Sequence, residues 1–215
     1  MPRTAFRVVI TFQFKWAESV AKDADSEDTV RMATQPVFDR PVSIEEYLSM
    51  EFEHDCEYVD GRIEERDLGE FEHAYVQGLL IGLFLKNREA WGVYPLPEQR
   101  VQTQKTHFRV PDITILREGT KREGIITHPP LLVIEIQSPD IPLRKTETKS
   151  AEYLAFGVEN VWVIDPYARV AYRGTSKGLE LVRDGELTIP GTPIHVSAPG
   201  IFADLDRVLG PARQI

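Results

Sequence analysis

Hydrophobic positions recur at helical spacing along residues 70–91 and predict one long helix there. The repeating side chains are Val76, Leu79, Leu80, Leu83 and Phe84. Apolar residues three or four apart fall on one face of a helix, and Gly92 is a residue type that commonly ends helices. A second helix is predicted over residues 143–157. A short helix begins at the capping box Ser43-Ile44-Glu45-Glu46 and ends near Met50.

Short β-prone runs occupy most of the remaining chain. Asp60-Gly61 lies between two such runs, which is a strong hairpin signal. Residues 161–164 are apolar on both faces and predict a central strand. Further strands are predicted at residues 100–103, 108–110, 112–116, 131–137, 170–172 and 179–182, followed by a looser tail. The pattern predicts an α/β (α+β) fold in which a mixed β-sheet is flanked by helices.

The length of 215 residues fits one domain of ordinary size, predicted here over residues 41–210. Residues 1–40 are predicted to be a weakly structured extension or linker, because residues 22–28 are polar and lack periodicity. The single cysteine, Cys56, excludes an intrachain disulfide and indicates a reducing compartment. No run reaches the roughly 18 apolar residues of a membrane span. We therefore expect a cytoplasmic protein without a membrane partner.

The net charge of −9 argues against a protein that wraps nucleic acid non-specifically, which needs a basic surface. The charge is localised, however. Residues 43–72 hold 12 acidic and two basic side chains, whereas the rest of the chain holds 22 acidic and 23 basic ones. The bulk of the protein is thus almost neutral, which weakens the objection to a nucleic-acid substrate. A solvated acidic face is the simplest interpretation of the acidic segment.

Two carboxylates lie within predicted strands. Along residues 131–137 the even-numbered positions are all apolar, whereas Glu135 and Gln137 share the opposite face. Asp112 is placed in the same way in the preceding strand. If the strands pair, the two carboxylates project side by side, and with an amide oxygen they form a set of hard ligands suited to Mg²⁺, or to Mn²⁺. The alternatives are a buried Glu135 bonded to a basic neighbour and an Asp112 that only starts its strand.

Lys149 follows in the helix predicted over residues 143–157, with Tyr153 one turn later. A lysine can help to deprotonate an attacking water or neutralise phosphate charge. The helix also carries an apolar stripe that places Lys149 roughly on the other side, so a solvated lysine is the alternative. The residues of this stripe are Ala151, Leu154, Ala155 and Val158.

The ordered set of motifs resembles the Uma-type restriction endonuclease family within the PD-(D/E)XK nuclease superfamily. The matching pieces span about residues 43–175. They are Glu57-Tyr58-Val59-Asp60-Gly61-Arg62, Glu72-His73, Pro111-Asp112-Ile113, Leu132 to Pro139, Lys149, Tyr153, Gly157-Val158 and Val161 to Pro166.

The resemblance implies a restriction-endonuclease-like fold and metal-dependent hydrolysis of DNA phosphodiesters. Carried over by position, Asp112 and Glu135 would bind the metal and Lys149 would assist catalysis. Gln137 stands where the superfamily's lysine normally lies. Additional candidates are Glu57, Glu72, His73 and Tyr153. A hairpin salt bridge for Glu57 and a helix-start charge for Glu72 are the alternatives.

The chain also departs from the family pattern. Lys145 stands where the family usually has an acid, and Asp140 replaces a small hydroxyl residue after Ser138-Pro139. A catalytically inactive nuclease-fold module that binds nucleic acid or protein is therefore the second hypothesis. A hydrolase for another phosphoester is the third, because a fold does not determine its function. A homodimer is expected, since cutting both strands of a duplex is simplest for a symmetric pair.

Overall fold

The computed structural model describes residues 40–52, 55–66 and 69–210. The predicted extension over residues 1–40 lies outside this part, except for Arg40. Contacts within the chain separate two units, with the boundary after Arg66, and each unit is described by itself. No helix in the described residues is long and apolar enough to cross a membrane.

The first unit consists of a helix and a β-hairpin, both of which were predicted. Its elements are α1 (Ile44–Ser49), β1 (Cys56–Val59) and β2 (Arg62–Glu65). The hydroxyl of Ser43 accepts a hydrogen bond from the backbone N–H of Glu46 at 3.1 Å and so begins the helix. Asp60 and Gly61 have φ angles of 47° and 84°. Two positive φ angles in a row give the tight turn that matches the twist of the paired strands.

The second unit is built around a six-stranded mixed sheet with the order β10-β9-β8-β7-β6-β3. The strands β7 and β8 are parallel and central, and the other neighbours are antiparallel. The helices are α2 (Phe71–Trp91), α3 (Leu143–Phe156) and α4 (Ala198–Leu209). The strands are β3 (Val93–Pro97), β4 (Val101–Gln104), β5 (His107–Arg109), β6 (Ile113–Arg117), β7 (Leu132–Ile136), β8 (Val161–Asp165), β9 (Val170–Thr175), β10 (Gly178–Leu181), β11 (Glu186–Thr188) and β12 (His195–Ser197). The predicted fold class is confirmed.

The two faces of the sheet bury different sets of side chains. Ile134 of β7 belongs to the large core that includes Leu80 and Phe84 of α2. Val133, the next residue along β7, belongs to a smaller core with Tyr153 of α3. This alternation follows from strand geometry. Because Glu135 has the parity of Val133, its side chain lies on the α3 face.

The face of α3 that packs inward differs from the prediction. Its buried residues are Thr146, Ser150 and Tyr153. Of the predicted apolar stripe, Leu154 and Val158 pack against the core, whereas Ala151 and Ala155 are exposed. Alanine gains little from burial, and the buried hydroxyls are hydrogen-bonded: Ser150 donates to the carbonyl of Thr146 at 2.9 Å. Lys149 adjoins this buried polar face and is half-buried, so the side of α3 roughly opposite the predicted stripe is packed as well.

Four further elements were not predicted, namely β3, β11, β12 and α4. β3 contains Pro95 and Pro97, which argue against a strand, but β3 lies at the edge of the sheet. The segment described as a looser tail forms the β11–β12 pair and α4. α4 buries Ile201, Phe202 and Leu205 at helical spacing. The apolar period of α4 was present in the sequence and could have been recognised.

Candidate active site

The register of β6 and β7 sets Asp112 opposite Glu135. Ile113 of β6 pairs with Ile134 of β7 in antiparallel fashion, and the same register continued by one residue reaches the two acids. Directly opposed residues project to the same face with Cβ atoms about 4.5–5.5 Å apart. Only 3% of Asp112 and 6% of Glu135 are exposed. The structure thus brings together the two carboxylates that were predicted to share a site.

The side chain of Asp112 is held from two elements. Its Oδ2 accepts a hydrogen bond from the backbone N–H of Ile136 at 2.6 Å. The Nε2 atom of His73, in the first turn of α2, lies 3.3 Å from the same oxygen. Gln77, one turn further along α2, donates to the backbone carbonyl of Asp112 at 3.0 Å. These contacts fix both the backbone and the carboxylate of Asp112, and they place the predicted site residue His73 beside it.

Glu135 is oriented by α3. The phenolic hydroxyl of Tyr153 donates to Glu135 Oε1 at 2.6 Å, and this hydrogen bond is buried. A buried carboxylate is costly unless it is paired or hydrogen-bonded. Tyr153, predicted only as an additional site residue, therefore supports one of the two central carboxylates.

Gln137 links β7 to α3. Its Oε1 accepts a hydrogen bond from the hydroxyl of Thr146 at 2.8 Å. Its Nε2 donates to the carbonyl of Ser138 at 3.0 Å and also to the carbonyl of Ile141. Gln137 shares the sheet face of Glu135, but these bonds tie its amide to the protein. Gln137 therefore connects the end of β7 to α3 through hydrogen bonds.

Lys149 lies on α3 between two residues that are bonded to β7. Thr146 precedes it and bonds Gln137, and Tyr153 follows it and bonds Glu135. Residues three and four apart on a helix are neighbours on its surface. The structure therefore places Lys149 on the part of α3 that borders the carboxylate pair.

The remaining candidate acids are Glu72 of α2 and Glu57 of β1. Glu72 is half-buried in the first turn of α2. Burial, followed by the negative charges of Glu70 and Glu72, raises the pKa of Tyr167, so Glu72 lies near that ring. Glu57 belongs to the first unit, where it is buried on β1 and pairs across the hairpin with Glu64.

The donor set was tested against the metal that the resemblance implies. Among the described residues, no group of three or more His, Cys, Asp and Glu side chains is arranged to hold a metal ion. Mg²⁺ does not require such a group, because it commonly takes one or two carboxylates and completes its shell with water and phosphate oxygens. The facing carboxylates of Asp112 and Glu135 fit that mode of binding.

The supporting residues Gln77 and Thr146 were missed by the sequence analysis. Gln77 carries no local signal, because its partner lies 35 residues away. Thr146 did carry one: with Ser150 and Tyr153 it forms a polar stripe at helical spacing. A polar stripe that faces a strand containing a carboxylate and an amide is a recognisable pattern.

Comparison with known proteins identifies the family and the fold of the chain. The sequence matches the family described as "Uma2: Putative restriction endonuclease" over residues 44–185. No curated protein matches the chain. Among solved structures, the chain is similar to "a putative nuclease belonging to DUF820 from Anabaena variabilis ATCC 29413", with a TM-score of 0.66 and 22% sequence identity. The similarity covers 77% of this chain and 99% of that chain, and it shows a common fold. Because the family match spans well over half of the sequence, the chain belongs to the Uma2 family.

Proposed function

We propose that this protein is a metal-dependent endonuclease that hydrolyses phosphodiester bonds of DNA. The observation that carries the proposal is the buried, facing pair of Asp112 and Glu135. Lys149 lies on α3 between Thr146 and Tyr153, the two helix residues that are bonded to β7. The family is described as "Putative restriction endonuclease", and the similar Anabaena protein as "a putative nuclease". Both descriptions support a nucleic-acid substrate, and the family description supports DNA as its class.

Asp112 and Glu135 would hold Mg²⁺, with Mn²⁺ as a substitute. When bound, such an ion makes water a better nucleophile and stabilises negative charge on the phosphate. The protein's part is to fix the two carboxylates beforehand. Ile136 and His73 hold Asp112, and Tyr153 holds Glu135. Ligands that are already oriented need not be reordered during the reaction.

In this proposal the metal ion brings positive charge to the site, and Lys149 is the cationic side chain that the protein contributes. An ammonium group can orient or help to deprotonate the attacking water, and it can neutralise charge on the phosphate. Lys149 would replace the lysine that the superfamily normally carries on the strand, because Gln137 stands at that strand position in this chain.

A cavity of about 280 Å³ adjoins Gln137 at the carboxyl ends of β7 and β8. We propose that part of the substrate strand occupies this space. We also propose a symmetric homodimer, because two copies would place one site on each strand of a duplex. A cytoplasmic location is consistent with the buried free thiol of Cys56.

The test is metal-dependent cleavage of plasmid DNA by two near-isosteric variants, Asp112→Asn and Glu135→Gln. We expect each to lower the cleavage rate at least about 100-fold, as removal of a central electrostatic group typically does. Binding of Mg²⁺ or Mn²⁺, measured by calorimetry, should weaken in parallel. Glu159→Gln is the matched control, because Glu159 is an exposed acid between α3 and β8.

Cleavage that persists undiminished in both variants would refute the assignment of the site. Absence of metal binding and of cleavage in the wild-type protein would favour the inactive module instead. RNA and a generic phosphodiester, assayed in parallel, distinguish DNA cleavage from hydrolysis of another phosphoester.

A further inference from the structure

A second buried cluster of charged side chains joins α3 to β4 and β5. Glu152 of α3 is its centre. Arg109 of β5 donates to Glu152 Oε2 through Nε at 3.0 Å and through Nη2 at 2.5 Å. His107 Nδ1 lies 3.0 Å from Glu152 Oε1, and the hydroxyl of Thr103 of β4 donates to that oxygen. Only 8% of the side chain of either Glu152 or Arg109 is exposed.

A buried cluster of charged side chains adds little net stability to a fold. Taking a carboxylate and a guanidinium out of water costs several kcal/mol per ion, and their attraction often does no more than offset that cost. A well-packed apolar pair could replace them with little loss of stability. The charged pair offers instead directed hydrogen bonds, which fix the relative orientation of the elements that carry them.

The cluster joins the two chain segments that carry the proposed site. Arg109 lies three residues before Asp112. Glu152 directly precedes Tyr153 and lies three residues after Lys149. The Arg109–Glu152 pair is therefore a short link between the strand that leads into Asp112 and the helix that presents Lys149 and Tyr153.

The geometry of α3 shows what this link restrains. Successive residues on a helix are about 100° apart around its axis. Glu152 and Tyr153 thus reach in different directions, Glu152 to β4 and β5 and Tyr153 to Glu135 on β7. Two bonds in different directions oppose rotation of the helix. The bond from Thr146 to Gln137, two turns earlier, opposes sliding along its axis.

We infer that Glu152 and Arg109 are positioning residues of the nuclease site, which set the rotation of α3 so that Lys149 and Tyr153 face Asp112 and Glu135. The inference rests on the proposed function for its catalytic consequence. Neither residue needs to touch the substrate. Their loss should therefore lower kcat and leave KM nearly unchanged.

The experiment compares wild-type protein with Glu152→Gln, which keeps the shape of the side chain and removes its charge. Cleavage is measured per folded molecule, well below the unfolding temperature of each variant. We expect kcat to fall at least about tenfold with KM within about twofold of wild type. Glu159→Gln is the matched control, because Glu159 is an exposed acid just after the end of α3.

A double variant, Arg109→Gln with Glu152→Gln, separates positioning from stability. Removing both charges avoids a buried, uncompensated guanidinium and should restore stability lost in the single variant. It should not restore kcat, because the directed bonds are still absent. Recovery of both quantities together would show that the pair acts through stability alone, and the inference would then be wrong.

Amide hydrogen exchange gives a readout that does not depend on cleavage. In Glu152→Gln, the amides of residues 149–153 should exchange at least about tenfold faster, whereas those of β7 and β8 remain protected. Unchanged exchange, or a kcat within twofold of wild type, overturns the inference. If the wild-type protein cleaves no DNA, the proposed function fails and the exchange of residues 149–153 alone decides whether the cluster holds α3.

Discussion

Gly69 lies directly against the imidazole of His73, which in turn contacts Asp112. A Cβ atom built on Gly69 would come within 2.5 Å of His73 Nδ1 and 2.8 Å of its Cγ. Real Cβ atoms essentially never approach so closely, so a larger residue would force the ring to move. Because Gly69 has no Cβ atom, the imidazole of His73 can occupy the position in which it lies 3.3 Å from Asp112.

We therefore predict that Gly69→Ala lowers DNA cleavage about tenfold or more without loss of helix content, because the displaced imidazole no longer supports Asp112. Cleavage kinetics and circular dichroism measure the two quantities. Gly82→Ala is the control: Gly82 is exposed on α2 with no atom within 4 Å of an added Cβ. That change should raise the free energy of unfolding by about 0.5–1 kcal/mol. Equal cleavage by both variants would contradict the role of Gly69.

The residues that sequence reasoning identified are those whose chemistry conflicts with their local pattern. Asp112 and Glu135 stand out because each is an acid in an apolar strand, and strand alternation alone shows that they can share a face. Arg109 and Glu152 are also buried, but Arg109 lies in a three-residue run between Phe108 and Val110, and Glu152 lies in a helix with several charged residues. Their pairing is a contact over 43 residues, and a single sequence carries no signal for it.

At the scale of elements, most helices and strands were predicted, but the apolar period of α4 was overlooked. α3 was placed correctly along the chain, but its inward face is only partly the predicted apolar stripe, because tertiary hydrogen bonds also draw Thr146 and Ser150 inward. β3 was missed because its prolines argue against a strand in general. Prolines are in fact compatible with an edge strand, and the edge position could be known only from the assembled sheet.

The link between α3 and the β4–β5 pair predicts a specific pH dependence of stability. Burial raises the pKa of Glu152, but the hydrogen bonds from Arg109 and Thr103 and the charge of Arg109 outweigh it, so the pKa lies below its ordinary value of 4.5. A lowered pKa in the folded state means that the ionised form favours folding. This stabilisation is present above about pH 4.5 and is lost as the pH falls through the folded-state pKa.

We predict that the free energy of unfolding of wild-type protein falls more steeply below about pH 4.5 than that of Glu152→Gln, which has no group to protonate at this position. Urea unfolding at a series of pH values between about 3 and 7 measures the difference. A difference between the two proteins that stays constant over this range would show that Glu152 contributes nothing to acid sensitivity.

At the scale of the whole molecule, the sequence predicted one domain over residues 41–210, and contacts in the structure separate residues up to Arg66 from the rest. The acidic segment at residues 43–72 extends across that boundary. The segment that carries the proposed site, residues 98–149, contains nine basic and seven acidic side chains. A nearly neutral surface of this kind offers few cations for phosphate contacts.

We accordingly predict modest DNA affinity with a clear salt dependence. Two or three phosphate contacts imply a loss of affinity of roughly 10- to 40-fold between 50 and 200 mM salt. Fluorescence anisotropy with a short duplex in EDTA measures binding without cleavage. Light scattering of the same complex gives its stoichiometry, and two chains per duplex are expected for the proposed homodimer. Affinity that hardly changes with salt would contradict the prediction and favour a binding module whose partner is a protein.

The two prolines of β3 also determine how copies of this chain can associate. The backbone N–H of Glu98 donates inward to the carbonyl of Asp112. Because strand residues alternate, Pro95 and Pro97 occupy positions whose N–H groups would point away from the sheet. Proline has none, so this edge offers almost no donors to an incoming strand. The edge keeps the carbonyl acceptors of Pro95 and Pro97 but lacks their donors, so a regular ladder to an incoming strand is incomplete here and amyloid-like growth from this side is disfavoured. A dimer that forms on this side of the molecule would have to rely largely on contacts other than a continuous β-ladder.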